Sequence, residues 1–461
     1  MKRFLALIMV AVMLTATSFS VLAEDATPVA QTASEEVISV MLDGNYIEFD
    51  VQPALINDRT MVPVRAIFEA LGASVEWIEE TQTVVSEMGD TKVTLAINNT
   101  VLNKNGEEII LDVPAQLVGT RTLVPLRAIS EAYGCTVMWN GYKNTAVIVS
   151  DLDTTGIITV NDETVSMAYF NYVLSQIEAY AMQSFNADTE YLKNSWNAGL
   201  GDTTFGRYII DSALEQCVFT KSNAQAAKAK GLKLTEADEK TISDNCAYIV
   251  EQYKNYDENF LASMYTTEEG IKAFVTDNVY ADKYYDFVMD EGDMSDKEIK
   301  KYLDDNYIRA KHILFSNVDM QTGMPLSEEE VAAKKKLAEQ TLETLRKKGN
   351  FDKLMEELSE DPGSKAQPEG YLFTKGDMVQ SFEKAAYALK VDGLSGIVES
   401  EYGYHIIKRV KNGEYTESDI LSVKEFLVND KITAAMNSNK ANAKLTSAEN
   451  MIDNVIPVGL D

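Results

Sequence analysis

The chain has 461 residues, more than one hydrophobic core usually organises, so we expect about three domains. Its hydrophobic content of 45% and charged content of 25% are ordinary for globular proteins and argue against extensive disorder. The formal net charge of −30 would repel a phosphate backbone, which disfavours nucleic-acid binding. Three widely spaced cysteines are too few for a disulfide framework or a zinc site.

Residues 1–23 have the three parts of a secretory signal peptide. Lys2 and Arg3 precede an apolar run, and small residues precede a cleavage position after Ala23. No cysteine lies near that position, so the sequence predicts that the protein is not a lipoprotein, and no later segment has the length and apolarity of a membrane span. We therefore expect a secreted, extracytoplasmic protein associated with the cell envelope, with an uncleaved N-terminal anchor as the alternative. Residues 24–36 are small and polar, which predicts a flexible leader.

An internal repeat follows the leader. Its two copies, displaced by 62 positions, are RTMVPVRAIFEALGASVEW at 59–77 and RTLVPLRAISEAYGCTVMW at 121–139. In each copy a proline (Pro63, Pro125) suits a helix start, a glycine (Gly72, Gly134) suits its C-terminal cap, and short β-branched runs flank the helix. The pattern resembles the repeat family named after the N-terminal domain of copper amine oxidases, often seen as a stalk in exported bacterial proteins. The resemblance implies a duplicated β-α-β stalk domain over residues 37–150, used as a spacer or envelope attachment. This half of the chain has no histidine, so copper is not expected.

Residues 155–306 have a helical pattern with few breakers. Ser166 and Thr235 suit helix N-caps, and Ser295 begins a capping box that is completed by Glu298. We interpret this segment as an all-α, chaperone-like domain. The tail at 411–461 returns to the same acidic and helical character, so we expect it to complete this domain and to make residues 307–410 an insertion.

Both histidines of the chain, His312 and His405, lie in the segment 307–410. This segment holds 15 Lys and Arg against 17 Asp and Glu, a net charge of −2, and so differs electrostatically from the rest of the chain. Each histidine lies in a run that predicts a strand, one at each end of the segment. Between them the sequence predicts one helix at about 327–348 and another at 351–358. First and last strands are commonly neighbours in a small α/β sheet, so the two imidazoles can meet there.

Five short segments around these histidines follow, in order and spacing, the parvulin family of prolyl isomerases. They are Lys311–Leu314, Ser359–Ser364, Gly376–Met378, Phe382–Leu389 and Gly403–Ile407. The predicted helices and signal peptide around them are similar to exported foldases of the PrsA/SurA kind. The implied fold class is multidomain α+β, in which the inserted parvulin α/β domain has a small antiparallel sheet with flanking helices.

The resemblance implies a role for individual residues of the site. The implied catalytic residues are His312, Asp361 and His405, and the implied substrate-binding residues are Met378, Phe382 and Tyr402. The two histidines would form the floor, with Asp361 as their hydrogen-bonding partner and the Tyr402 hydroxyl near the second histidine. Met378 and Phe382 would wall the pocket that holds the proline ring. No cofactor and no metal are implied.

This chain departs from the family pattern at three places, the first of which is the loop at 317–322, which lacks the basic cluster of phosphate-specific members. Asp377 stands where many relatives have glutamine, and residues 368–372 replace the usual Gly-Asp-Leu-Gly. The first hypothesis is an exported foldase that isomerises X-Pro bonds. Its expected partners are unfolded secreted proteins, and the repeat domain would contact the cell wall. The alternatives are a non-catalytic extracytoplasmic chaperone or an envelope scaffold, either with a vestigial isomerase domain.

Overall fold

The computed structural model describes residues 37–185, 187–292, 294–319 and 322–458. The predicted signal peptide at 1–23 and the predicted leader at 24–36 both lie outside these ranges. Two compact units are present: the first holds the described residues up to Val288 and from Thr433 onward, and the second is Met289–Ile432. No helix in the described ranges combines the length and apolarity that a membrane span needs.

The N-terminal part of the first unit is rich in β-structure. Its strands are β1 (Ser39–Leu42), β2 (Asn45–Tyr46), β3 (Ala54–Ile56), β4 (Arg59–Pro63), β5 (Ser74–Ile78), β6 (Thr83–Met88), β7 (Thr91–Ala96), β8 (Val101–Lys104), β9 (Glu107–Ile110), β10 (Gln116–Val118), β11 (Arg121–Pro125), β12 (Thr136–Asn140) and β13 (Thr145–Val149). Its helices are α1 (Val64–Ala70) and α2 (Leu126–Ala132). The strands form three sheets, with orders β12-β13-β1-β2, β10-β11-β4-β3 and β5-β6-β7-β8-β9.

The two sequence repeats are joined through their equivalent strands. β4 of the first copy pairs antiparallel with β11 of the second, and Val62 lies opposite Val124 in this register. Arg59 of the first copy pairs with Asp112 at 2.6 Å, and Arg121 of the second copy pairs with Asp50. Each ion pair therefore links one copy to the segment that precedes the other, and the two copies share one core.

A helical region follows in the first unit. Its elements are β14 (Gly156–Val160), β15 (Glu163–Ser166), α3 (Met167–Phe185), α4 (Thr189–Ser195), β16 (Gly199–Leu200), β17 (Thr203–Thr204), α5 (Phe205–Ala229), α6 (Glu236–Lys254), α7 (Phe260–Ser263) and α8 (Glu268–Glu291). Thr235 caps α6 with a capping box, as its sequence position predicts. The cysteines of this region, Cys217 and Cys246, are free thiols.

The second unit contains a small sheet with helices on both faces. Its elements are α9 (Asp296–Asn306), β18 (Ile308–Ser316), α10 (Glu328–Arg346), α11 (Phe351–Leu358), α12 (Pro362–Ala366), β19 (Tyr371–Phe373), α13 (Gln380–Ala388), β20 (Leu394–Ser400), β21 (Gly403–Val410) and the first part of α14 (Glu417–Asn442). The sheet order is β19-β18-β21-β20, and every neighbouring pair is antiparallel.

The two faces of this sheet bury different clusters. Ile313, Phe315 and Ile406 face one side and pack with apolar residues of α10 and α11. Ala310 and Ile407 face the other side, where α13 covers the sheet. Strand residues alternate between faces, so His312 and His405 share the α13 side with Ala310 and Ile407. Beyond the sheet, α9 and the start of α14 pack together in a third cluster of this unit.

The C-terminal segment returns to the first unit as β22 (Leu445–Ser447) and α15 (Glu449–Ile452). β22 pairs with β14, and Met451 enters the same core as Phe170 and Phe274 of the helices. Met138 and Val147 of the repeat part belong to that core as well. The predicted α+β architecture of a duplicated β-rich part, a helical part and a small antiparallel sheet with flanking helices is thus confirmed. The helical part, predicted as all-α, also contains the three-stranded sheet β15-β14-β22 and the hairpin β16-β17. The predicted residue boundaries of the domains stay predictions.

Candidate active site

Strand register brings the two histidines together. His312 on β18 lies opposite Ile407, and Leu314 lies opposite His405 on β21. In an antiparallel pair these four side chains share one face, so His312 and His405 are diagonal neighbours within side-chain reach. Both are buried, with exposed fractions of 7% and 4%.

The two imidazoles lie nearly parallel, edge to edge, and are joined by a hydrogen bond. Their ring centroids are 5.3 Å apart with an interplanar angle of 17°, and their Nδ1 atoms are 3.0 Å apart. The ring of Phe382, from α13, meets His312 edge-on at 5.2 Å and His405 edge-on at 5.4 Å. The pair therefore forms a polar floor beside an aromatic wall.

Asp361 lies behind His312. It is the N-cap of α12, where its carboxylate accepts the backbone N–H of Ser364 at 2.7 Å. The same oxygen, Oδ2, lies 2.9 Å from Nε2 of His312 and 2.5 Å from the hydroxyl of Tyr371. Burial by itself raises the pKa of Asp361, but the hydrogen bonds from His312, Tyr371 and Ser364 outweigh burial and hold this pKa well below its ordinary value. Asp361 is thus an ionised acceptor.

His405 is the less basic end of the pair. Burial, followed by the neighbouring His312, lowers the pKa of His405 from 6.5 to about 4, so this ring is neutral at physiological pH. Its Nε2 lies 2.7 Å from Oγ of Ser400, and the backbone N–H of Tyr402 donates to that same oxygen at 3.1 Å.

These contacts define a directed chain of hydrogen bonds. Because Asp361 accepts, His312 donates from Nε2, and in the neutral pair its Nδ1 accepts the N–H of His405. Nε2 of His405 then accepts the hydroxyl of Ser400. Adding one proton to the pair reverses two of these hydrogen bonds. His312 then donates from both nitrogens, to Asp361 and to His405, and His405 donates from Nε2 to Ser400. Every ring nitrogen has a partner in both arrangements.

The other residues singled out from the sequence lie in different surroundings. Met378 is half-buried against the cluster that contains Phe382, on the α13 side of the sheet. Tyr402 follows β20 with an exposed fraction of 53%, and among the described contacts its backbone, not its hydroxyl, reaches Ser400. Among the described residues, no group of three or more His, Cys, Asp or Glu could hold a metal ion.

Sequence reasoning missed three side chains that contact this site. Ser364 and Tyr371 donate to Asp361, and Ser400 contacts His405. The N-cap position of Asp361, directly before Pro362, was a usable signal for Ser364, because an N-cap carboxylate accepts from the residue three positions later. No comparable local signal points to Tyr371 or Ser400, which reach the site only through the pairing of strands.

Comparison with known proteins identifies both predicted modules. The family described as "Copper amine oxidase N-terminal domain" matches residues 41–148, and the family described as "PPIC-type PPIASE domain" matches residues 296–412. Among curated relatives, "Foldase protein PrsA" of Caldanaerobacter subterraneus subsp. tengcongensis is 28% identical over 286 residues, covering 60% of this chain and 80% of the relative. "Foldase protein PrsA" of Clostridium botulinum (strain Kyoto / Type A2) is 30% identical over 255 residues, covering 51% and 70%.

Two solved structures are similar over parts of the chain. A peptidylprolyl isomerase (PrsA) from Bacillus cereus shares 21% identity, with 56% of this chain and 95% of that chain covered and a TM-score of 0.30. The parvulin NmPin of Nitrosopumilus maritimus shares 39% identity, with 23% and 96% covered and a TM-score of 0.17. At these TM-scores the assignment rests on the sequence relationships. The predicted parvulin and stalk resemblances are confirmed: the chain belongs to the PrsA family of foldases and carries a PPIC-type peptidyl-prolyl cis/trans isomerase domain.

Proposed function

We propose that His312, His405 and Asp361 form the catalytic floor at which this foldase isomerises X-Pro bonds, and that Met378, Phe382 and Tyr402 bind the substrate. The observation that supports this most is the buried imidazole pair, joined at 3.0 Å between Nδ1 atoms and flanked by Phe382. A buried polar pair beside an aromatic wall suits a substrate that is half apolar ring and half polar amide.

The chemistry required is modest, because isomerisation breaks no covalent bond. The barrier of about 18–20 kcal/mol arises from amide resonance, which is lost when the bond twists. All four ring nitrogens of the pair already have hydrogen-bond partners, so neither ring offers a free lone pair for attack on the carbonyl. The pair therefore acts as a fixed polar surface and not as a nucleophile.

Catalysis then follows from binding the twisted amide better than either planar form. Phe382 and Met378 hold the proline ring, so that rotation takes place on the acyl side of the bond. The ionised Asp361 orients and polarises His312, and this preorganised field favours the changed charge distribution of the twisted amide. Removing water from the amide weakens the solvation that stabilises its planar, polar form.

The clients of this foldase are unfolded proteins. We propose that they are exported proteins whose proline-containing segments enter the site, that the protein acts at the cell envelope, and that the repeat domain contacts the cell wall. The predicted signal peptide and the stalk-like repeat support this location. The isomerase segment has a net charge of −2 in a chain of −30, so it can approach either basic or acidic segments with little electrostatic penalty.

The test is an isomerisation assay on X-Pro peptides, using the chain without residues 1–23. We expect the wild type to accelerate exchange and the His312→Ala, His405→Ala double variant to lose that acceleration. Phe382→Leu, which nearly conserves side-chain volume, serves as a second variant if the double variant unfolds. Equal rates for wild type and a folded double variant would reject the proposal. If the wild type and the double variant also suppress client aggregation equally, the non-catalytic chaperone is the better description.

A further inference from the structure

Tyr371 lies in the segment 368–372, where this chain departs from the family pattern, and its side chain contacts the site. Its hydroxyl donates to Oδ2 of Asp361 at 2.5 Å, and its ring lies edge-on to His312 at 5.6 Å. We propose that Tyr371 is a positioning residue, which keeps Asp361 directed at Nε2 of His312 and thereby sets the tautomers of both histidines. This rests on the proposed role of the histidine pair.

The local backbone is built so that the hydroxyl can reach Asp361. Tyr371 begins β19 and pairs with Ala310 on β18, next to His312. Gly370, with φ of +94°, lets the two strands approach, because a Cβ there would lie 2.7 Å from the carbonyl oxygen of Ala310. A Cβ on Gly363 would lie 1.7 Å from the hydroxyl oxygen of Tyr371. Two positions without side chains therefore leave the space that this contact occupies.

The hydrogen bond from Tyr371 differs from the other hydrogen bonds that Asp361 accepts. The Ser364 donors belong to α12, the same short helix that Asp361 caps, so they move together with Asp361. The Ser364 hydroxyl also has a second acceptor, the carbonyl of His312 at 3.2 Å. Among the described residues, His312 and Tyr371 are the partners that tie the carboxylate to the sheet. Of these two, Tyr371 is the one that lies outside the histidine pair, so its hydrogen bond does not depend on the tautomer of either ring.

The ionisation states support a permanent donor–acceptor pair. Burial, followed by the hydrogen bond to Asp361, raises the pKa of Tyr371, so its hydroxyl keeps the proton that it donates. The titratable side chains that contact Asp361 are His312 from β18 and Tyr371 from β19, and His405 acts on it through His312.

The test reads the imidazoles directly. The sequence contains only two histidines, so a tag-free sample labelled at the imidazole nitrogens gives signals from this site alone. At pH 8 we expect the wild type to show one ring protonated at Nε2, His312, and one protonated at Nδ1, His405. In Tyr371→Phe we expect these nitrogen shifts to move toward the average of the two tautomers. Tyr387→Phe is the matched control, because its hydroxyl contacts the carbonyl of Asn306 at 3.3 Å, outside the site.

A second variant and a rate measurement separate positioning from general damage. Gly363→Ala should displace the tyrosine hydroxyl and produce the same spectral change in a chain that keeps Tyr371. For Tyr371→Phe we expect kcat/KM to fall roughly tenfold, mainly through kcat, which is the lower end of what losing a hydrogen bond to a charged group predicts. Imidazole shifts in Tyr371→Phe that superimpose on those of the wild type and of Tyr387→Phe would overturn the proposal. A wild type without isomerase activity but with the expected shifts would instead refute the proposed function while leaving the positioning role intact.

Discussion

Lowering the pH from 7 to 4 should destabilise the isomerase domain through His405. Burial and the neighbouring His312 lower the pKa of this residue in the folded protein from 6.5 to about 4. As the pH falls below 6.5, the unfolded chain takes up a proton that the folded chain does not yet bind. The stability contributed by neutral His405 is therefore fully present above pH 6.5 and is lost as the pH falls toward 4.

The size of this effect follows from the shift. One pKa unit corresponds to about 1.4 kcal/mol, so lowering the pKa from 6.5 to about 4 amounts to about 3 kcal/mol of unfolding free energy. The contribution of Asp361 to the free energy of unfolding changes in a lower pH range. Its folded pKa lies below the ordinary value of 3.8, so its contribution is present above pH 3.8 and is lost only below it. The two residues can thus be distinguished by pH.

Hydrogen exchange is the suitable assay, because the three tryptophans, Trp77, Trp139 and Trp196, all lie in the first unit and would not report on the second. Exchange of the β18 and β21 amides should be followed between pH 7 and pH 4 and corrected for the intrinsic rate at each pH. His405→Asn is the matched control, since its amide can donate to His312 but cannot titrate. An equal loss of protection in wild type and His405→Asn would refute the reasoning.

Three further outcomes are expected. Ser400→Ala should cost about 1–3 kcal/mol in urea unfolding of the second unit, because it leaves a buried ring nitrogen of His405 without its partner; an unchanged midpoint would contradict the contact. Phe382→Leu should raise KM in the peptide assay while changing the melting temperature little, because the leucine fills the core but offers no flat wall to a proline ring. Arg59→Ala and Arg121→Ala should each lower the melting temperature of the first unit slightly, and the difference from wild type should vanish at high salt because both ion pairs are exposed. A salt-independent loss would point to packing instead.

Local signals in the sequence predict several elements of the fold closely. The capping box predicted at Ser295 and Glu298 is present in the structure. The helix predicted at 351–358 has those bounds, and that predicted at about 327–348 spans Glu328–Arg346. These signals succeed because the residues that decide a helix end lie within one turn of it.

Contacts between distant segments could not be predicted in the same way. The meeting of two imidazoles was suggested by strand order, but the register that makes them diagonal neighbours is a property of the whole sheet. Tyr371 reaches Asp361 only because residue 363 lacks a side chain, and nothing local marks that glycine as unusual. The crossed pairing of Arg59 with Asp112 and Arg121 with Asp50 likewise requires knowing which strands of the duplication are neighbours.

The core that Met138 and Val147 share with Phe170, Phe274 and Met451 limits how this protein can be dissected. A truncation at the end of the repeat would expose apolar surface on the helices that remain. Such a fragment would aggregate or be degraded for reasons unrelated to attachment. A phenotype of that fragment would therefore say little about anchoring. Point changes on the outer faces of the repeat are the informative way to ask what it touches.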